Sequence, residues 1–187
     1  MPLPCNEQAL DWIEKFPDWS YPVLLLYGEK GCGKTHLLKL WADKAGNKGF
    51  AIDDVELMFG DDEAERELFH KINQAREDGG FLMLTLSKNI GQQTIDLPDL
   101  ASRLRAAPSV EILHPTETDL QAVLVKLFHD RQLRVEPGVL AYILPRIERS
   151  FTAINDLVDK IDKAALAEKR AVTVPLVRDV LVEPKLF

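Results

Sequence analysis

Cysteine is scarce in this chain. Only Cys5 and Cys32 occur among 187 residues, which excludes a disulfide framework and reads as two thiols in a reducing cytoplasm. No apolar run approaches the roughly 20 residues needed to cross a bilayer. The N-terminus also lacks the basic-then-apolar order of a secretion signal, so the expected location is cytoplasmic and off the membrane. Positive charge is short too: 23 Lys and Arg against 30 Asp and Glu leave a net −7. That balance predicts no strong direct DNA binding and leaves room only for a local basic patch. Repeats and low-complexity segments are missing. What is present, 46% hydrophobic and 28% charged residues, suits a globular chain with a real core. The length fits one compact domain or a core with a small appendage.

The densest information lies in Gly28-Glu29-Lys30-Gly31-Cys32-Gly33-Lys34-Thr35, a complete G-x-x-x-x-G-K-[ST] phosphate loop. Its context fits its spelling. Pro22–Tyr27 is an apolar run of strand length, and His36–Ala42 continues as a helix. Gly28, Gly31 and Gly33 let the backbone curl until successive N–H groups converge on a phosphate, and the helix N-terminus adds positive potential. Lys34 supplies a point charge to the terminal phosphates, and Thr35 offers a hydroxyl to Mg²⁺. Together with Cys32 and His36 these residues form the expected cofactor site for ADP or ATP.

Around that loop, strands and helices alternate. Asn6–Phe16 is a short amphipathic helix, and the helix opened by the loop runs to about Ala45, where Gly46-Asn47 and Gly49 end it. Phe50–Asp54 is a short apolar step into two carboxylates. Asp61 caps a helix to Asp78 with Leu68, Phe69, Ile72 and Ala75 on one face and Gly79-Gly80 as its stop. Phe81–Ser87 is a second buried strand, Pro98 opens a helix through Arg105, and Ser109–Leu113 is a third strand. This order predicts an α/β fold with a parallel sheet covered on both faces. After Pro115 no further strand is evident. Glu117–Arg131, Pro137–Arg149, Phe151–Lys169 and Pro175–Leu181 read as helices. The expected organisation is a nucleotide-binding core over residues 1–114 and a helical lid over 115–187.

Phosphoryl chemistry needs a strand-end carboxylate for Mg²⁺ or its water and often a second to orient the attacking water. Asp53 and Asp54 fit that need, with Thr35 and Asp53 holding the metal. Only 18 residues separate Lys34 from Asp53, which accommodates one helix and a turn but no intervening strand. Thr85 and Ser87 sit where a hydroxyl could touch a γ-phosphate or the attacking water, or could simply be satisfied at a strand end. Arg103 and Arg105 read as surface arginines on a short helix.

Taken together, these pieces resemble the bacterial DnaA/Hda family of AAA+ ATPases, most of all its Hda branch in the alphaproteobacterial form. The string Gly33-Lys34-Thr35-His36-Leu37-Leu38 is typical of the family. Ile52-Asp53-Asp54-Val55-Glu56 resembles its acidic strand end, and Glu67-Leu68-Phe69-His70 with Asn73 resembles its next helix. Leu97-Pro98-Asp99-Leu100-Ala101-Ser102-Arg103-Leu104 and Val172–Val177 are similar to the Hda branch, and the likeness covers nearly all of the chain.

The resemblance implies a P-loop NTPase fold of the AAA+ type with a C-terminal helical lid. It also implies a regulator of replication initiation that promotes hydrolysis of DnaA-bound ATP together with the DNA polymerase III sliding clamp. Arg103 then becomes the arginine finger, catalytic in a neighbour's site. Weak intrinsic hydrolysis is expected from Asp54, where more active relatives often carry glutamate, and from Thr152 in place of the lid arginine; a homo-oligomer is a further partner option. Three departures stand out. The family's strand before the acidic strand is absent. Met1-Pro2-Leu3-Pro4 resembles only the end of the Gln-led clamp-binding peptide. Thr152 replaces the nucleotide-sensing lid arginine, with Arg149 about one turn away. Two other readings share the loop: a helicase-loader or transposase-helper AAA+ protein, marked by its own vigorous turnover, and a small phosphate-loop kinase, marked by transfer to a small acceptor.

Overall fold

A computed structural model describes residues 1–168 and 170–182. Four strands, β1 (Val23–Tyr27), β2 (Gly49–Ile52), β3 (Phe81–Leu86) and β4 (Ser109–Glu111), form one sheet in the order β2-β3-β1-β4. Every pairing is parallel, with Val23 opposite Leu82 and Gly49 opposite Phe81. The helices around it are α1 (Glu7–Lys15), α2 (Lys34–Ala45), α3 (Asp62–Asp78) and α4 (Pro98–Ala106).

The period of two in β1 divides the core between two layers. Leu24 and Leu26 pack with Leu37, Leu38 and Trp41 of α2 and Ala9 and Ile13 of α1. Val23 and Leu25 pack on the other face with Leu68 and Ile72 of α3 and Leu100 and Leu104 of α4. Helices on both faces and near-continuous apolar strands are the expected signature of a parallel sheet. On the α2 side, Trp19 stacks on Trp41 at 5.4 Å, and Lys44 caps the end of α1 through the carbonyls of Ile13 and Glu14. Leu3 is buried there too, and its N–H donates to Asn6 Oδ1. Neither cysteine is in a disulfide.

Local signals set most boundaries. Asp61 Oδ1 accepts the N–H groups of Glu63 and Ala64, and Gly79, at φ 67°, ends α3 in the left-handed region. A tight turn over Gly46–Lys48 carries α2 directly into β2. β2 is thus the edge of the sheet, paired only with β3, and Phe50 on it is half exposed.

The residues from His114 on form a second compact unit built from α5 (Glu117–Asp130), α6 (Val139–Ile143), α7 (Phe151–Glu168) and α8 (Val174–Val182). Thr116 and Asp119 cap α5 reciprocally. Leu124, Phe128, Ile143, Ile154, Val158, Ile161 and Val177 share its core.

One expectation changes here. The helix over Pro137–Arg149 is cut to five residues and a tight turn over Leu144–Arg146, because Pro145 lacks the N–H that would continue it. The stretch after Pro115 has no strand among the described residues and holds an isolated parallel bridge, Val135 to Val172. The expected last residue of α7, Lys169, and the end of the lid range beyond residue 182 lie outside the described residues.

One buried charge ties α3 to α4. Glu65 is 1% exposed, and its carboxylate accepts three backbone N–H groups: Gly60 at 2.8 Å, Asp96 at 3.1 Å and Leu97 at 2.7 Å. Burial works to raise its pKa, but the three donors together outweigh that and hold it below the ordinary carboxylate range. A depressed folded-state pKa means that the stabilisation is complete above the unfolded-state value and fades as pH falls through the folded one. Acid unfolding of Glu65→Gln, followed by circular dichroism, is therefore expected to show a shallower loss of stability on the acid side than wild type. Superimposable pH profiles would contradict the assignment.

Candidate nucleotide site

The phosphate loop joins the carboxyl end of β1 to the first turn of α2. Gly31 and Gly33 have φ of 83° and 102°, and Gly33 is the left-handed N-cap of α2. Gly28 is required for a different reason. A Cβ there would sit 2.4 Å from the Ile112 carbonyl oxygen and 3.0 Å from Cys32 Sγ. Gly28→Ala is thus expected to cost about 1–3 kcal/mol, the usual scale of overpacking, read as a lower urea midpoint. An unchanged midpoint would mean that Ile112 yields freely.

Inside the loop the side chains take separate roles. Cys32 is 1% exposed and turned into the core beside Leu26 and Leu37, and burial pushes its thiol pKa up. It therefore offers a ligand only its backbone. Lys34 is also buried, and its ammonium donates to the carbonyls of Gly28 at 2.7 Å and Glu29 at 3.1 Å. Thr35 and His36 are exposed at the start of α2.

The acidic strand end meets the loop. Thr35 Oγ1 donates to Asp53 Oδ2 at 2.7 Å. The Thr85 hydroxyl, fully buried on β3, donates to Asp53 Oδ1 and accepts the Asp54 N–H at 2.8 Å. Thr85 is thus a satisfied strand-end hydroxyl that aligns Asp53. Asp54 has φ 48°, an uncommon left-handed conformation for a residue with a Cβ, so the chain turns sharply at the second carboxylate. Ser87 lends the site its backbone: its N–H donates to Glu56 Oε1 at 2.7 Å. Glu56 and Glu65 were not identifiable as structural ties from spacing, because each needs a partner about 31 residues away.

This donor set fits phosphate with a hard cation. Among the described residues no group of three or more His, Cys, Asp or Glu could hold a metal alone. One hydroxyl and one carboxylate suit Mg²⁺, which commonly takes its remaining oxygens from phosphate and water.

Arg103 is placed differently. Its guanidinium carbon lies 5.0 Å from the centre of the Phe69 ring on α3, and Tyr21 Oη donates to its carbonyl at 3.2 Å. Tyr21 precedes β1, so the Arg103 main chain lies by the amino end of the strand whose carboxyl end carries the phosphate loop. Arg105 is exposed on α4, as are Arg149, just before α7, and Thr152 in its first turn.

Comparison with known proteins agrees with these observations. Residues 117–181 match the family described as Hda, lid domain. An uncharacterised protein of Haemophilus influenzae is 25% identical over 205 residues, covering 94% of this chain and 89% of that protein. Domain III of the Thermotoga maritima replication initiation protein DnaA superposes with a TM-score of 0.81 at 18% identity, over 98% of this chain and 95% of that one. AMPPCP-bound DnaA from Aquifex aeolicus gives 0.74 at 19% identity, over 90% of this chain and 64% of that one. The fold extends to the Thermotoga maritima RuvB branch migration motor, with a TM-score of 0.69 at 15% identity. The chain thus pairs the fold of DnaA domain III, shared with other AAA+ P-loop proteins, with a segment that matches the Hda lid family.

Proposed function

We propose that this protein binds ADP or ATP at Gly28–Thr35 and promotes hydrolysis of ATP bound to DnaA, acting with the sliding clamp. One observation carries the reading: Tyr21 binds the Arg103 carbonyl by the amino end of β1, away from the chain's own phosphate loop. An arginine anchored there, its guanidinium on the Phe69 ring of α3, is suited to a nucleotide held by a neighbouring protein, where it would stabilise developing phosphate charge. In this chain's own site the loop N–H groups cradle phosphate, Lys34 faces its charge, and Thr35 and Asp53 would hold Mg²⁺, which neutralises charge on the phosphate oxygens when bound. Thr85 keeps Asp53 aligned.

The same reading predicts slow turnover in isolation. Asp54, a shorter acid than the glutamate of more active relatives, stands at the sharp left-handed corner after β2, and by the sequence resemblance Thr152 takes the place of the family's nucleotide-sensing arginine. A stand-alone rate near ~1 s⁻¹, ordinary for phosphoryl transfer, would favour a motor or loader with its own hydrolysis cycle. Clamp binding in this scheme uses a surface other than Leu3, which is packed in the core. The deciding experiment measures ATP hydrolysis by purified DnaA with and without this protein, clamp and DNA. Acceleration that requires this protein supports the reading, and a DnaA rate indifferent to it refutes the reading.

A further inference from the structure

We propose that Glu65 is a positioning residue for Arg103, setting where the guanidinium stands by fixing the start of the helix that carries it. The inference deepens the reading of Arg103 as a group acting on a neighbour's nucleotide, and it rests on that reading for its biochemical test.

The N-terminus of α4 is poorly equipped to fix itself. Its N-cap is Leu97, whose side chain caps nothing, and Pro98 opens the first turn without an N–H. Sequences that stop a helix from drifting normally place Ser, Thr, Asp or Asn at that position. Here the job passes to α3. Glu65 Oε2 accepts the Leu97 N–H and Oε1 accepts the Asp96 N–H, while Oε1 also takes the Gly60 N–H just before α3. A carboxylate 1% exposed is costly to bury unless it is well hydrogen-bonded, and this one is bonded through both oxygens. Charge-assisted bonds of this kind are about twice as strong as neutral ones.

The next turn of α3 completes the device. Phe69 stands four residues after Glu65 and so lies on the same helix face, and its ring carries the Arg103 guanidinium. Beside the apolar packing of Leu68 and Ile72 with Leu100 and Leu104, α3 thus holds α4 at its entry, through Glu65, and at its arginine, through Phe69. Tyr21 adds a third point at the Arg103 carbonyl. Of the three, only the Glu65 contact fixes the position of the first turn, from which the remaining residues of α4 are propagated. A change there displaces Arg103 without touching the phosphate loop.

The test compares Glu65→Gln, Arg103→Ala and the double variant in the full chain. Glutamine keeps one acceptor oxygen and presents an amide N–H to donors that need an acceptor. The expected result for Glu65→Gln is a tenfold or greater fall in the maximal DnaA hydrolysis rate, with half-saturating concentration and ADP affinity unchanged. On the Arg103→Ala background the same change is expected to have no further effect, since coupled residues are non-additive. Full stimulation by Glu65→Gln, or an equal further loss on that background, would overturn the proposal. A second readout needs no DnaA. In NMR spectra, Glu65→Gln should speed amide exchange at Asp96 and Leu97 and shift the Arg103 Nε–H resonance away from its position against the Phe69 ring. An unmoved Arg103 resonance would overturn the positioning role even if stimulation fell. Wild-type protein that fails to stimulate DnaA would instead refute the functional reading and leave the NMR result to decide the positioning role.

Discussion

Arg103→Ala is expected to abolish stimulation of DnaA-bound ATP hydrolysis while leaving this protein folded and able to bind ADP. The expected loss is about a thousandfold or more in the stimulated rate, the lower end of what an arginine finger contributes. Folding should survive because the side chain's recorded anchor is a contact with Phe69, and such cation–π contacts at exposed sites are worth roughly 0.5–1 kcal/mol. The Tyr21 bond goes to the Arg103 carbonyl and is kept by alanine. Arg103→Lys sharpens the test. A lysine retains the charge but loses the planar fork of donors, so a partial rescue would indicate charge and no rescue would indicate bidentate geometry. A wild-type level of stimulation by Arg103→Ala would remove Arg103 from the mechanism. A variant that unfolds would identify Arg103 as a structural tie between α4 and the core.

The phosphate loop was legible because its chemistry is local. Eight consecutive residues carry glycines, ammonium and hydroxyl, and the flanking strand and helix can be read from short apolar patterns. β1 and β3 were legible for the same reason: each is a nearly continuous apolar run buried on both faces. Asp53 could be named as a strand-end acid, but its partners could not, because Thr85 reaches it from a strand 32 residues further on. Cys32 was placed in the cofactor site by the loop pattern, which says nothing about which way an unspecified side chain turns. The Cys32 side chain turns into the core.

Glu65 was hidden most completely. It stands in Asp61-Asp62-Glu63-Ala64-Glu65-Arg66-Glu67, a run that reads as a solvated helix face, and Arg66 does pair with Asp62 in solvent. Only the fold brings Asp96 and Leu97 to it. The shortened α6 was foreseeable from Pro145 alone, whereas the Val135–Val172 bridge has no periodicity to announce it. The absent strand before β2 was visible as a spacing, and the fold accommodates it by leaving β2 at the sheet edge.

Lys34→Ala is expected to weaken ADP binding about a hundredfold, roughly 2.8 kcal/mol, with the loop's helix and the sheet intact. The ammonium is a single compact charge, held 8% exposed at the base of the loop, whereas the loop's other ammonium, on Lys30, is exposed. Its two bonds to the Gly28 and Glu29 carbonyls raise a competing possibility, that Lys34 only braces the loop. The two roles separate in a pair of measurements. Calorimetry reports ADP affinity, and urea unfolding reports the loop's contribution to stability. A lysine that binds phosphate loses affinity on mutation and lowers the ligand-free midpoint by no more than the two carbonyl bonds it gives up. A lysine that only braces shows the reverse, a lowered midpoint with ADP affinity close to wild type. Lys34→Met adds a control for volume, since it fills much of the same space without charge. If it binds ADP as poorly as alanine does, the missing quantity is the charge itself.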